Sequence, residues 1–256
     1  WVCRGMFIDG SKLLFDAVWQ QNWTLFRWAR FYMEVLRQAP LVLSVRAGVT
    51  DLHLLAQILS VGLTLPPTVF YTVALFRARN EPVLLASVIA VIAICYMTTS
   101  FFAAGEYNAT FAMTTAAAVW LATTDRLRAA EGAGLALLAL IFSRSYDVTL
   151  YHGPVLALMT LWRIATIAER PRGATLLYLV AAAFFVGGGM IGLNSLIRPY
   201  DAEYQQQVYN RSFDFWQNPQ FDVIFIATLV VVIGAIARPS ALLGRKLYFW
   251  ASVPLA

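Results

Sequence analysis

Residues 175–197 read TLLYLVAAAFFVGGGMIGLNSLI, a run of 23 residues without a charged side chain. A helix needs about 20 predominantly apolar residues to cross the hydrocarbon core of a bilayer. Lipid offers no hydrogen-bond partners, so a spanning segment must bond its backbone groups internally, as a helix does. This stretch therefore predicts a membrane-spanning helix. Its triple glycine, 187–189, favours close packing against a neighbouring helix.

The whole chain has the composition of a membrane protein. Of its 256 residues 60% are apolar and 13% are charged, and the mean hydropathy is +0.65. Soluble globular proteins carry about 25% charged residues. These values exclude a soluble enzyme and a disordered chain. Two cysteines, Cys3 and Cys95, are too few for a disulfide framework or a metal knuckle.

Seven apolar stretches are candidate spans, and Pro66 and Pro67 predict a kink within the first of them. The fourth stretch is too short to cross alone and would need residues 143–147 to extend it. The seven stretches are 54–76, 82–104, 109–124, 132–142, 154–167, 175–197 and 221–237. The chain begins at Trp1 and ends within a further apolar run, so we expect it to be a piece of a longer protein.

Positive charge in alternate loops gives the direction of the spans, because cytoplasmic loops are enriched in Lys and Arg. The loops after spans one, three, five and seven, with the end of span five, hold ten basic and four acidic residues, and the other side holds nine and ten. The net charges of +6 and −1 sum to the total of +5. We therefore expect a multi-pass protein of a bacterial inner membrane, with 1–52, 105–108, 143–150 and 198–220 facing outward.

The outward segment 1–52 is expected to precede a transmembrane bundle formed by 53–256. Within residues 11–38, Arg27, Arg30, Glu34 and Arg37 recur at steps of three and four and draw a polar stripe along a helix. Aromatic residues fill the other face, which suits helices lying in the membrane interface. We predict two such helices joined near residue 22, with Thr24 as a cap of the second. The alternative is a helix that packs across the top of the bundle.

Charged and titratable residues close to the membrane are the candidate site residues, because charge at that depth is costly and tends to mark function. All of them lie on the predicted outward side: Asp9, Glu106, Arg144, Asp147, His152 and Arg198. Converging carboxylates could serve as a general base and as a second polar or metal contact, and an arginine could hold a phosphate.

Each candidate also has a structural interpretation. Asp9 could only cap a helix. Glu106 could only pair with Arg144, since buried charges are normally paired. His152 could be a hydrogen-bonded histidine at the membrane surface. No spacing of these residues is diagnostic of one chemistry.

The layout resembles the C-type membrane glycosyltransferases, polytopic enzymes that use lipid-phosphate sugar donors. Phe7-Ile8-Asp9-Gly10 would match the acidic position of the family's first outward loop, the helices within 11–38 its interfacial pair, and Glu106 its second acidic position. The resemblance covers most of the chain. It departs from the paired acidic motif typical of the family, because Asp9 is followed by glycine.

The resemblance implies a reaction in which Arg144 or Arg198 binds the phosphate of a polyprenyl-phosphate sugar. Asp9 would take a proton from an acceptor hydroxyl, which attacks the anomeric carbon as the lipid phosphate leaves. A divalent metal stays open as a cofactor. Membrane lipids and a lipid-linked sugar are the expected partners, and no nucleic acid is expected.

Two other functions remain open. One is a non-catalytic subunit of a membrane protein complex, which the abundance of Trp and Phe and the small-residue packing faces favour. The other is a transporter, which would need internal repeats and ionisable residues at mid-membrane. The centres of the predicted spans lack such residues, so this function has the least support.

Overall fold

The computed structural model describes residues 9–25, 27–97 and 107–198, and all regular structure in them is helical. The all-α prediction is therefore confirmed for these residues. In chain order the elements are α1 (Asp9–Gln20), a 3-10 turn (Trp28–Arg30), α2 (Phe31–Arg46), α3 (Leu52–Ala78), α4 (Pro82–Val91) continued by a π-helical stretch (Ile92–Met97), α5 (Tyr107–Thr123), α6 (Ala129–Phe142), α7 (Thr149–Thr166) and α8 (Arg172–Ile197).

Two of these helices, α3 and α8, are long and apolar enough to cross a membrane. Their most apolar windows have mean hydropathies of 1.6 and 2.1. They contain the predicted stretches 54–76 and 175–197. Among the described residues the other predicted spans correspond to shorter helices, and the predicted span 221–237 lies outside the described residues.

Several boundaries are set by local chemistry. Asp51 caps α3, because its Oδ1 accepts hydrogen bonds from the backbone N–H groups of His53 at 2.9 Å and Leu54 at 3.2 Å. Gly48 turns the chain between α2 and α3 with a φ of +86°, a conformation that glycine adopts without steric cost. Pro82 occupies the first turn of α4, where its missing N–H costs nothing.

The fourth predicted stretch lies in α6, which begins at Ala129, ends at Phe142 and is followed by turns, so residues 143–147 do not extend it. The prediction that Thr24 caps the second helix is wrong, because α2 begins at Phe31. Instead the backbone N–H of Thr24 donates to Oε1 of Gln38 at 2.9 Å, and Nε2 of Gln38 donates to the Thr24 carbonyl at 2.8 Å. The linker before α2 is thus fixed to the side of α2.

The helices enclose two main hydrophobic cores. The larger core is formed by α4 to α8 and by the C-terminal half of α3, around Met113, Leu135 and Phe142, and Met33 of α2 is buried in it as well. The second core lies between α1, α2 and the N-terminal half of α3, around Leu14, Leu41 and Leu59. We call the described residues from 9 to 65, which include α1, α2 and the first half of α3, the N-terminal module. The described residues from 66 to 198 are the bundle.

Glycine contacts bring α8 close to α7 and to the end of α6, as the triple glycine predicts. A Cβ atom at Gly188 would lie 2.9 Å from Cα of Ser143, just after α6, and one at Gly189 would lie 3.0 Å from Pro154 of α7. A Cβ at Gly153 of α7 would overlap the carbonyl oxygen of Phe185. Gly187 faces open space, so only the second and third glycines of the triplet support the packing.

Candidate functional site

The link between α6 and α7 carries Asp147, and this carboxylate binds two arginines from the chain segment that leads into α2. Oδ2 of Asp147 accepts hydrogen bonds from Nε of Arg30 at 3.2 Å and from Nη2 of Arg30 at 2.6 Å. Nη1 of Arg27 lies 3.6 Å from the same oxygen. The hydroxyl of Ser195, near the end of α8, donates to Oδ1 at 2.7 Å. One carboxylate therefore connects α2, the α6–α7 link and α8.

A third arginine lies in the same link. The guanidinium carbon of Arg144 lies 3.9 Å from the ring centroid of Trp28 and 5.5 Å from that of Tyr32. The backbone N–H of Tyr32 donates to the Arg144 carbonyl at 3.2 Å, which fixes the link against the start of α2. Stacking on an aromatic face holds an arginine without neutralising its charge.

We call Arg27, Arg30, Arg144 and Asp147 the arginine cluster. Three guanidinium groups and one carboxylate give it a formal charge of +2. The side chains of Arg27, Arg30 and Asp147 are 23%, 14% and 26% exposed, so they are screened from water but not sealed from it. Such a cluster is suited to binding an anion, because guanidinium groups bind phosphate and carboxylate oxygens through paired N–H donors.

The charge state of Asp147 follows from its neighbours. Burial acts to raise the pKa of the Asp147 carboxyl, but the charges of Arg30 and Arg27 and the hydrogen bonds from Arg30 and Ser195 outweigh burial. The pKa is therefore lowered from its ordinary value of 3.8, and the carboxylate is ionised at neutral pH.

His152 lies in α7, one turn beyond the link, and it is buried. Its Nδ1 lies 3.0 Å from the hydroxyl of Thr114 in α5, and its ring centroid lies 5.7 Å from that of Phe111. The hydroxyl of Thr110 donates to Oγ of Ser145 at 3.0 Å, one turn from Thr114. His152 thus belongs to a buried polar layer beneath the link, rather than to its exposed surface.

The other predicted site residues are not brought into the arginine cluster by any described contact. Asp9 is the first residue of α1, and its side chain is outside the described part of the structure. Glu106 lies outside the described residues. Arg198 is exposed just beyond α8, one turn after Ser195, and its backbone N–H donates to the Asn194 carbonyl at 2.8 Å. The predicted convergence of Asp9 and Glu106 therefore stays a prediction.

Sequence reasoning did not assign a site role to Arg27, Arg30 or Ser195. The sequence pattern predicts the polar stripe that contains Arg27 and Arg30, but it does not show whether this stripe faces the protein or the solvent. Glu34 and Arg37, the other members of that stripe, are only 3% and 2% exposed. The polar residues Glu34 and Arg37 of α2 thus face the protein together with Met33, Leu41 and Val42, while Leu36 and Leu43 are exposed.

The described residues contain no group of three or more His, Cys, Asp or Glu side chains that could hold a metal ion. They do form a groove of about 540 Å³ between α2 and α3 in the N-terminal module. The groove is lined by Pro40, Ser44, Leu54, Gln57, Ile58 and Val61. Its polar groups are occupied, since Ser44 donates to the Pro40 carbonyl and Gln57 contacts His53.

Comparisons with protein families, curated proteins and solved structures find no match to this chain.

Proposed function

We propose that the chain is an integral membrane glycosyltransferase that moves a sugar from a polyprenyl-phosphate donor to an acceptor at the outer face of the membrane. The observation that carries this proposal is the arginine cluster, a group with a formal charge of +2 at one end of an apolar helical bundle. A donor of this class brings its phosphate to the membrane surface, so an anion site is required there. The layout of the chain, which resembles the C-type glycosyltransferases, supplies the reaction type.

A membrane setting is supported by the exposed surface of the helices. Large apolar side chains are exposed along α3, α7 and α8, among them Phe76, Leu158 and Met190 at 62%, 67% and 67%. Exposed apolar side chains in this number suit a lipid-facing surface. The burial of Glu34 and Arg37 in α2, with Leu36 and Leu43 exposed, has the same explanation. Positive charge in alternate loops directs the arginine cluster to the outer side.

The residues of the cluster would act by binding and by orientation. Arg144, Arg27 and Arg30 would hold the donor phosphate through charge-assisted hydrogen bonds. Asp9, as the resemblance implies, would accept the proton of the acceptor hydroxyl. The hydroxyl oxygen forms a bond to the anomeric carbon, and the bond from that carbon to the phosphate oxygen breaks. The electron pair leaves with the polyprenyl phosphate, whose new charge the arginines stabilise.

Sugar transfer from a polyprenyl-phosphate donor by the protein in proteoliposomes tests the proposal. Arg144→Gln should lower transfer at least tenfold, because it removes a phosphate contact while keeping a side chain of similar length. Arg79→Gln is the matched control. Arg79 is exposed just after the C-terminal end of α3, where its guanidinium group stacks on Phe76. Asp9→Asn and Glu106→Gln test the carboxylates that the resemblance assigns. Unchanged transfer in the Arg144, Asp9 and Glu106 variants would overturn the proposal.

A non-catalytic subunit of a membrane complex is the second candidate, and the geometry of Asp147 favours it. This carboxylate is occupied by Arg30, Arg27 and Ser195, as expected of a contact that only holds helices together. Under this alternative the protein would bind vesicles with and without polyprenyl phosphate equally and would copurify with a partner chain. Selective binding of the vesicles that contain polyprenyl phosphate would exclude it.

A further inference from the structure

The helix α3 belongs to two cores at once. Leu55, Leu59 and Leu63 pack against α1 and α2 in the second core. Ala74 and Ala78 pack in the core of the bundle. The two sets do not overlap, and the change from one core to the other falls within residues 64–73. α3 is therefore the covalent connection between the N-terminal module and the bundle.

Pro66 and Pro67 lie at this change. Neither has a backbone N–H, so the carbonyls of Gly62 and Leu63 receive no helical hydrogen bond from them. Thr64 and Thr68 flank the pair, and the hydroxyl of Thr68 donates to the Thr64 carbonyl at 2.8 Å. Proline pairs and threonines bonded back to the helix carbonyls are both causes of helix bending. The weakest turn of α3 thus separates its two cores.

The N-terminal module is itself tightly connected. Gly62 contacts α2 so closely that a Cβ atom there would overlap the carbonyl oxygen of Arg37. The reciprocal bonds between Thr24 and Gln38 fasten the linker to α2. Nε of Arg46 donates to the carbonyl of Gln21 at 2.9 Å. These contacts join α1, α2 and the first half of α3 into one unit.

Besides α3, the module meets the bundle at the arginine cluster, in which Arg27 and Arg30 from the module bind Asp147 of the bundle. Next to the cluster, the Tyr32 N–H donates to the Arg144 carbonyl, and Met33 of α2 is buried in the larger core. This contact therefore combines an ion pair with one apolar side chain, and it is much smaller than the second core, which holds the module itself together. An ion pair is broken and remade far more readily than a packed core.

From this arrangement we infer that the N-terminal module pivots on the bundle at Pro66–Pro67, and that the contact of Arg27 and Arg30 with Asp147 is the latch that holds it closed. An anion that binds the two arginines competes with Asp147 and favours the open form. The inference goes beyond the proposed function, because the hinge and the latch are properties of the fold and hold for any anionic ligand.

Distance measurement between paired spin labels tests the pivot in the intact protein in nanodiscs. Cys3 and Cys95 are replaced by Ser, and labels are placed on Leu43→Cys in the module and Leu158→Cys in the bundle, both exposed positions. The control pair joins Leu158→Cys to Phe76→Cys, because Phe76 lies in the half of α3 that belongs to the bundle. A 20° bend at the prolines would move the tip of the module, about 20 Å away, by about 7 Å.

We expect one distance for the Leu43–Leu158 pair in the otherwise unaltered protein, and a second, shifted population after Asp147→Asn. The Phe76–Leu158 pair should keep its distance. Replacing both Pro66 and Pro67 by Ala in the Asp147→Asn background should remove the shifted population. A single unshifted distance after Asp147→Asn would overturn the inference, and so would an equal shift in the control pair.

Ser195→Ala provides a milder test, because it removes one hydrogen bond from Asp147 and leaves its charge. It should give the same shifted population at a smaller fraction. Loss of sugar transfer in the proposed-function assay would not affect these distances, so the two proposals fail separately.

Discussion

Arg30 donates two hydrogen bonds to one carboxylate oxygen of Asp147, from Nε at 3.2 Å and from Nη2 at 2.6 Å, across 117 residues of sequence. Ser195 holds the other oxygen of the same carboxylate. The three residues come from three separate parts of the chain, so this contact defines how the segment before α2 meets the ends of α6, α7 and α8.

Asp147→Asn should lower the free energy of unfolding by about 1–3 kcal/mol, the usual cost of losing hydrogen bonds to a charged group. The amide keeps the size of the side chain but removes the negative charge that Arg27 and Arg30 bind. Thermal unfolding in detergent measures the change. Glu169→Gln, which neutralises an exposed carboxylate, is the control and should shift the transition little. Equal transitions for the Asp147→Asn variant and the unaltered protein would contradict the prediction.

The contribution of Asp147 should also depend on pH. Its folded-state pKa is lowered, so its ionised form is favoured in the folded protein. This stabilisation is fully present above the ordinary pKa of 3.8 and is lost as the pH falls through the lower, folded-state value.

Melting temperatures of the unaltered protein and of Asp147→Asn, compared between pH 7 and pH 3, isolate this effect from other carboxyls. The difference in melting temperature between the two proteins should be constant near neutral pH and should become smaller in acid. A difference that grows in acid would contradict the prediction and would show that Asp147 does not stabilise the fold through its charge.

The packing of α7 on α8 gives a prediction in which Gly153 of α7 is tested and Gly187 of α8 is the control. Gly153→Ala should destabilise the protein by about 1–3 kcal/mol, the usual cost of overpacking, because the new methyl group meets the Phe185 carbonyl. Gly187→Ala adds the same methyl group to open space and removes a flexible glycine from a helix, so it should be neutral or stabilising. Chemical denaturation of both variants measures the difference. Equal effects would show that α7 and α8 pack less closely than described.

The sequence predicts the helices better than it predicts which way their faces turn. The charge-free run that became α8 was placed almost to the residue, because its length and apolarity have one main explanation. The stripe of Arg30, Glu34 and Arg37 was also recognised, since helical periodicity reveals which residues share a face. Periodicity does not reveal whether that face meets water or protein, and in an apolar environment the usual rule reverses.

The candidate site shows the same difference between what local sequence predicts and what depends on the packing of distant segments. Asp147 was singled out because it is an acid beside the membrane, which local sequence is able to show. Its partners Arg30 and Ser195 lie 117 and 48 residues away, and only the packing of α2 and α8 onto the α6–α7 link brings them together. With a single chain and no internal repeat, no local pattern encodes such a contact.

Arg163 is a further case in which local sequence was insufficient, and it yields the last prediction. Arg163 is the basic residue near the end of the fifth predicted span, where its charge contributes to the predicted orientation. In the structure it is only 8% exposed, and its Nη2 donates to the carbonyl of Thr124 just after α5. Helix ends leave carbonyl groups without partners, and a cationic side chain there both bonds them and interacts favourably with the helix dipole.

Arg163→Ala should therefore destabilise the protein by about 1–3 kcal/mol, because it leaves a buried carbonyl unsatisfied. Arg172→Ala, at an exposed position at the start of α8, is the matched control and should stay within about 0.5 kcal/mol. If Arg163, like Arg172 of the predicted loop, contributed only to the orientation of the spans in the membrane, the two variants would insert and unfold alike. Unfolding of the two variants in detergent, together with cysteine accessibility from each side of the membrane, separates a structural role from a topological one.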